Sequence, residues 1–198
     1  DFDLFGHRSM HDVAASGGAS RVYPAIETST TAFSHTGTHT AACGVLVYRG
    51  TGLGSGCDGW VFVCDPTGFL VAAHRLHPDG MTFRAERIIR DQPTKLDWLT
   101  STDPWFRPVS LANGPDGLLY VVDMYREVIE HPAYMPPGLA EKLNLRAGDD
   151  RGRIYRVRRR GVERTAFRLP TTKVEQVELL SSSEGWCRDL GFRLLRTW

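Results

Sequence analysis

A turn followed by a strand is written into this chain twice. The octets Asp58–Asp65 (DGWVFVCD) and Asp116–Asp123 (DGLLYVVD) share an Asp-Gly opening, a run of β-branched and aromatic residues, and a closing aspartate, 58 positions apart. Gly152–Val157 (GRIYRV) is a looser third copy. Asp-Gly favours tight turns because glycine reaches positive φ without steric cost. A turn-plus-strand unit recurring at tens of residues is the pattern of a propeller or solenoid, whose units bury their faces on one another. The expected architecture is therefore mainly β, a partial β-propeller.

Composition fits that frame. A 41% hydrophobic content with 10% aromatics and 20 glycines suits a turn-rich β protein with a real core. The net charge of +1 argues against nucleic acid or an anionic membrane as the main partner. No apolar run approaches the roughly 18 residues that cross a bilayer. The chain opens on Asp1-Phe-Asp, which reads as the inside of a longer protein, so a missing secretory signal carries no information on compartment.

Breakers divide the chain. Residues 1–40 read as a loop-rich lead-in with one short strand around Arg21–Ile26. Strand signals at Ala42–Tyr48, Trp60–Cys64, Phe69–Arg75 and Thr82–Ile89 are separated by GTGLGSG, DPTG and HPDG, giving a four-stranded antiparallel unit. A linker holding Trp98, Asp103 and Pro104 leads to a second set at Arg107–Asn113 and Leu118–Asp123. An irregular stretch over 125–150 follows, too long for a hairpin turn, then a hairpin of Arg153–Val157 with Thr165–Leu169. Residues 41–170 hold two or three units, an open arc with unpaired edges, so the isolated piece is expected to be poorly soluble or marginally stable. Beyond Pro170 the period changes. Val174, Val177 and Leu180, then Trp186, Leu190 and Leu194, predict two helices over 171–198, the second with Ser183 as a weak N-cap.

The four cysteines, Cys43, Cys57, Cys64 and Cys187, are too few for a disulfide scaffold, and no C-x-x-C pair or haem-attaching C-x-x-C-H occurs. Cys43 and Cys64 lie in neighbouring strand signals. A bridge between them is geometrically open, as is a pair of buried thiols.

Several long runs carry a resemblance. STDPWFRPVSLANGPDGLLYVVDMYREVIEHPAYMPPGL with DRGRIYRV, and also TAACGVLVYRG, VFVCDPTGFLV and EGWCRDLGFRLL, are similar to the membrane-bound dehydrogenase family of planctomycetes and their relatives. Most of residues 38–195 is covered, although the region before Thr38 matches poorly and Cys187 stands where that family tends to have a tryptophan. The resemblance implies a secreted, periplasmic or extracellular protein. It implies a propeller like that of soluble quinoprotein glucose/sorbosone dehydrogenases, then HEAT-like helices, often ending in a haem-binding module. This chain would hold the last blades of a six-bladed propeller and the first HEAT-like helices. The catalytic base and the haem module would lie outside it. The implied substrate is a sugar or another alcohol. A PQQ-like quinone would serve the full-length protein, and haem c would come only through the missing module. The remaining blades would be its partners. The alternative is a non-catalytic propeller that binds carbohydrate or protein.

Arg107, Asp123, Tyr125, Arg126, Glu130 and His131 are the candidate binding residues, clustered around the second strand pair and the loop leaving it. Arg107 and Arg126 could clamp an anionic quinone or sugar acid through planar guanidinium forks. Asp123, Glu130 or His131 could serve as base. The bland reading makes Asp123 a turn cap and Arg126 its ion-pair partner, locking one unit to the next. Other patterns point to less. His35, His39 and Cys43 are spaced four apart, which suits a metal only on a helix, and the Thr/Ser/Gly surroundings oppose helix. His74 and His77 read as solvated turn residues. Asp149-Asp150 is too short for a calcium loop. The arginines at 151, 153, 156, 158, 159 and 160 read as a solvated face. No metal site is expected.

Overall fold

The structure is a computed structural model that describes residues 13–15, 19–27, 37–91, 93–161 and 166–197. It is mostly antiparallel sheet, with two helices at the C-terminal end. In the first sheet β1 (Cys43–Val47), β2 (Val61–Asp65), β3 (Leu70–Asp79) and β4 (Thr82–Arg90) form a meander, with β5 (Leu96–Asp97) on β4 and β6 (Leu99–Thr100) on β3. The second sheet is the meander β7 (Pro108–Asn113), β8 (Leu119–Asp123) and β9 (Arg153–Val157). Each repeated octet is a turn and then the second strand of its sheet, so β2 and β8 are counterparts.

Register fixes which face each residue takes, because cross-strand partners share a face. Phe62 opposes Ala73 and Cys64 opposes Val71, and all four point into the main core with Tyr48, Phe69, Leu119 and Val121. The alternate set, Val63 with Ala72, Asp65 with Leu70 and Val61 with His74, faces the other way. There Leu70 and Ala72 pack on Val22 of the lead-in. The first sheet is thus covered on both sides, whereas the second buries one face only. Leu119 and Val121 are fully buried, while Ile154 across the strand pair is 69% exposed.

The sheets meet where both ladders are irregular. Register shifts fall between Cys43 and Leu46 in β1 and between Pro108 and Ser110 in β7. Gly44 sits in the first of these at φ 57, and a Cβ there would lie 2.7 Å from the Val109 carbonyl. Only glycine satisfies both demands.

Several expectations are corrected. HPDG does not break the chain, because β3 runs through His77, Pro78 and Asp79 and turns at Gly80-Met81. The strand around Arg21–Ile26 reduces to one bridge between Arg21 and Thr38. The linker contains the short strands β5 and β6. Gly152–Val157 is the third strand of the second sheet rather than the start of a third unit, and residues 166–170 form no strand beside it. Thr165 lies outside the described residues. Cys43 and Cys64 are direct cross-strand partners, yet all four cysteines are free thiols. Cβ atoms of residues directly opposed on a ladder stand about 4.5–5.5 Å apart, wider than a disulfide's 3.5–4.5 Å. Burial, with Cys43 and Asp65 nearby, also pushes the Cys64 thiol up to about 12, so no thiolate forms there at neutral pH.

The helices α1 (Lys173–Glu178) and α2 (Gly185–Leu195) match the change of period. Thr172 and Glu175 form a capping box on α1, and Glu184, not Ser183, is the N-cap of α2. The helix pair rests on the sheets. The Gly185 amide donates to the Arg49 carbonyl at 2.6 Å, Arg49 grips Asp189 with two bonds of 2.7 and 3.2 Å, and Glu184 accepts from the Thr51 amide at 2.9 Å. Val174, Val177 and Leu180 stay exposed at 68, 48 and 40%. Leu119→Ala should cost about 2–5 kcal/mol in a urea melt because it empties the shared core. Ile154→Ala, on the same strand pair but on the bare face, should change stability by no more than about 0.5 kcal/mol.

Candidate functional site

The strand ends of the second sheet carry the expected cluster. Arg107, one residue before β7, is 4% exposed, and Asp123, closing β8, is 1% exposed. The Arg107 amide donates to Asp123 Oδ1 at 2.7 Å, and the Tyr125 amide donates to the same oxygen at 2.8 Å. The Arg107 guanidinium gives Nε to the Arg126 carbonyl at 2.9 Å, one terminal nitrogen to Pro66 at 2.9 Å and the other to Glu127 at 2.6 Å. Its plane lies over the Phe69 ring at 4.4 Å. Burial pulls this guanidinium down to about 10 while Asp123 pulls it up, so it stays charged at neutral pH. Each of the three nitrogens thus donates to a backbone carbonyl, one in the turn after β2 and two in the loop after β8. Arg107 is a staple, not a clamp, and Asp123 is a turn cap.

The rest of the set disperses. Tyr125 sits at φ 51 with its ring 5.4 Å from Trp105, and the Arg153 guanidinium lies 3.5 Å above that ring. Arg126 donates to the Leu145 carbonyl at 3.0 Å and does not pair with Asp123 or Glu130 in that bond. Glu130 and His131 lie further along the loop. His131 is exposed and caps a short 3₁₀ turn by accepting the Ala133 amide at 3.1 Å. The anion clamp and the acid–base set around Asp123 are not assembled.

A different site forms on the far face of the first sheet. Residues 13–15 and 19–27 cross that face as a strap. The Val22 amide donates to Gly37, the His39 amide to Ser20, and the Ala85 amide to Val13. Asp97, fully buried, accepts the Tyr23 amide at 2.8 Å on one oxygen and a fork from Arg87 at 2.9 and 2.7 Å on the other. Between strap and sheet lies a cavity of about 470 Å³. Ala14, Ala15, Ala19, Ala42 and Ala85 give it smooth apolar walls, and Tyr23, His39, His74 and Arg87 give it polar ones. His39 Nδ1 is 2.8 Å from Asp65 Oδ2, and Asp65 Oδ1 accepts the Gly68 amide at 2.9 Å. His74 is 9% exposed, so the solvated turn role is corrected: it is a buried strand residue opposite Arg87. Burial lowers its pKa to about 4, helped by Arg87 and His39 and opposed by the Val61 backbone.

The two sheets share a device. In each, a basic residue from the chain leading into the first strand meets the aspartate that ends the second: His39 with Asp65, Arg107 with Asp123. Sequence reasoning noted both aspartates as the octets' last residues but took His39 only for a metal spacing. Nothing local marks Arg87, Asp97 or Tyr23, which come together through pairing across the sheet and strap. His35 lies outside the described residues. His77 bonds Glu86 at 2.7 Å across the β3–β4 pair, Asp149 pairs with Arg146 at 2.6 Å, and Asp150 pairs with Arg151 at 3.4 Å. Among the described residues no group of three His, Cys, Asp or Glu side chains could hold a metal ion, and no helix is long and apolar enough to cross a membrane.

A family model described as a domain of unknown function, DUF7133, matches residues 3–161, and the chain belongs to that family. No curated protein and no solved structure matches it.

Two measurements check these roles. Arg107→Ala should destabilise by about 3 kcal/mol or more, since it strands three carbonyls and removes the positive charge near the buried Asp123. Arg107→Lys should not restore it, because one ammonium cannot reproduce the planar fork. His74 should leave a mark on the pH profile. The folded protein resists protonating it until about pH 4, whereas the unfolded chain takes the proton near the ordinary 6.5. Stability should therefore fall as pH drops from about 6.5 to 4, by up to about 3 kcal/mol, and be flat above that window. Urea melts of His74→Gln should show that much less loss than the wild type over the same interval.

Proposed function

We propose that this chain is the substrate-facing part of a propeller-built, quinoprotein-like dehydrogenase, exported to the periplasm or beyond, that acts on sugars or other alcohols. Its own task is to hold a neutral hydroxylated molecule in the cavity between strap and first sheet. The redox centre belongs to parts of the protein outside this chain. The two meanders in series, with counterpart second strands, support the propeller, and the docked helix pair is in keeping with an entry into HEAT-like repeats.

The cavity carries the reading. Its volume of about 470 Å³ lies in the usual range for small-molecule sites. The wall charge of Arg87 is met by Asp97, so besides the exposed Arg21 what the interior offers a ligand is the neutral His74 imidazole, the His39 ring and alanine methyls. Imidazoles can donate to or accept from hydroxyls, and the alanines suit the C–H faces of a sugar ring. An anionic quinone does not fit these residues. Arg107 and Arg126 are committed to carbonyls and Arg87 to Asp97, which leaves Arg21 of the cavity wall as a single guanidinium for its several carboxylates. A cavity that offers imidazoles and methyls to a neutral sugar also fits the second reading, a carbohydrate-binding propeller without redox chemistry.

Titration of the chain with neutral hexoses and polyols, followed through its histidine ring signals by NMR, tests the site. Saturable shifts of His39 and His74 are expected, weaker for sugar acids, and at least about tenfold weaker in His74→Phe. Unmoved histidine signals would overturn the assignment. Dye reduction by the full-length protein separates the readings: a raised KM in His74→Phe with kcat nearly kept supports the dehydrogenase, and no turnover of any sugar or alcohol supports the binding module.

A further inference from the structure

The two sheets are built on one plan but differ by a strand. Since β2 and β8 are counterparts, so are their antiparallel neighbours β3 and β9. The outer edge of β3 carries β4 along seven paired positions, and Ile88 of β4 packs on the core. Beyond β9, among the described residues, no strand follows. Alternate amides and carbonyls of Arg153–Val157 therefore point along that edge without a ladder partner.

Two further observations say what would pair there. A cavity of about 450 Å³ lies beside β9, floored by Leu99, Phe106 and Val121 and walled by Tyr155 and Val157. It stands on the core face, where Ile88 reaches the core in the first sheet. The edge is also strongly basic: residues 151–160 contain six arginines and no acid. Arg156 is 55% exposed, on the bare face with Ile154, and pairs with Asp116 at 3.4 Å, while the exposed Arg159 and Arg160 follow the strand.

We propose that β9 is a docking edge for an extended segment of another polypeptide that alternates apolar and acidic residues. It would add antiparallel as a fourth strand. Its apolar side chains enter the cavity beside Tyr155 and Val157, and its carboxylates lie along Arg156 and the arginines beyond. Main-chain bonds supply affinity and the alternating side chains supply selectivity. A second copy pairing β9 to β9 would oppose arginine to arginine, which is disfavoured. The chain's own residues 166–170 hold an arginine and no acid, and Phe167 is engaged 5.1 Å from Trp186.

Three labelled octapeptides test this on the chain as it stands: alternating Val-Glu, alternating Val-Lys, and Val-Glu with alternate amides N-methylated. The Val-Glu peptide should bind saturably, weaken as salt is raised, and slow hydrogen exchange at residues 153–157. The Val-Lys and N-methylated peptides should bind at least about tenfold more weakly, lacking charge match and ladder bonds respectively. Arg159→Glu with Arg160→Glu should reverse the Glu-over-Lys preference, with an unchanged melt showing that the fold is kept. Equal binding of Glu and Lys peptides would overturn the proposal, as would unchanged exchange at 153–157. So would amides that are all slow in the free chain, which would mean that the edge is already paired.

Discussion

Three aspartates, Asp65, Asp97 and Asp123, are buried to within 1% of complete, and the molecule is arranged around keeping each of them bonded. A buried carboxylate without partners costs several kcal/mol, so whatever bonds it is held firmly. Asp65 holds His39 from 26 residues upstream and the Gly68 amide in its own turn. Asp123 holds the Arg107 and Tyr125 amides on one oxygen, while its other oxygen is buried without a hydrogen-bond partner among the described residues. Asp97 holds Tyr23 from 74 residues away together with Arg87. In each case a short acidic side chain at a strand end fastens a segment that the ladder alone would leave loose. The strap and the cavity beneath it follow from the bonds of Asp65 and Asp97.

The sheets themselves meet by shape. Close approach of β1 to β7 needs a residue without a side chain in a left-handed conformation, and Gly44 meets both conditions. The two local irregularities lie against one another, and Phe62, Leu119 and Val121 share one core. Arg107 then spans the same junction from the strand ends, with Pro66 of the first sheet and Arg126 and Glu127 of the second on one guanidinium. Apolar contact brings the layers together, and the guanidinium fixes how they are turned.

What could be read in the sequence was what depends on near neighbours. The octets were legible because a turn dipeptide and an alternating strand are local, and the second helix because its apolar spacing is. Gly44 inside a strand run was a readable mark of a bulge, and Thr172-x-x-Glu175 of a capping box, though neither was taken up. The rest was set by tertiary context. HPDG looks like a turn, but Pro78 tolerates its place in β3 and the reversal falls one residue pair later. Arg107 looked like a ligand clamp because its chemistry suits anions. Whether a guanidinium is free depends on which carbonyls surround it, and Pro66 lies 41 residues away. His74 and Arg87 become neighbours only through β3–β4 pairing, and the strap that roofs them is held by a residue beyond both.

Charge economy links the fold to its chemistry. The buried cations and anions are used to hold segments together, so a charged ligand entering the cavity would have to compete with bonds on which the strap depends. A neutral hydroxylated ligand makes no such demand, because it can bond to the imidazoles without displacing Asp97 from Arg87 or Asp65 from His39. Arg159 and Arg160, beyond β9, are the opposite case. They lie at an edge where pairing them costs little desolvation and leaves the internal staples untouched. Charge inside the fold is thus spent on structure, so the proposed neutral ligand and the proposed acidic strand would each bind without breaking the bonds of Asp65, Asp97 and Asp123.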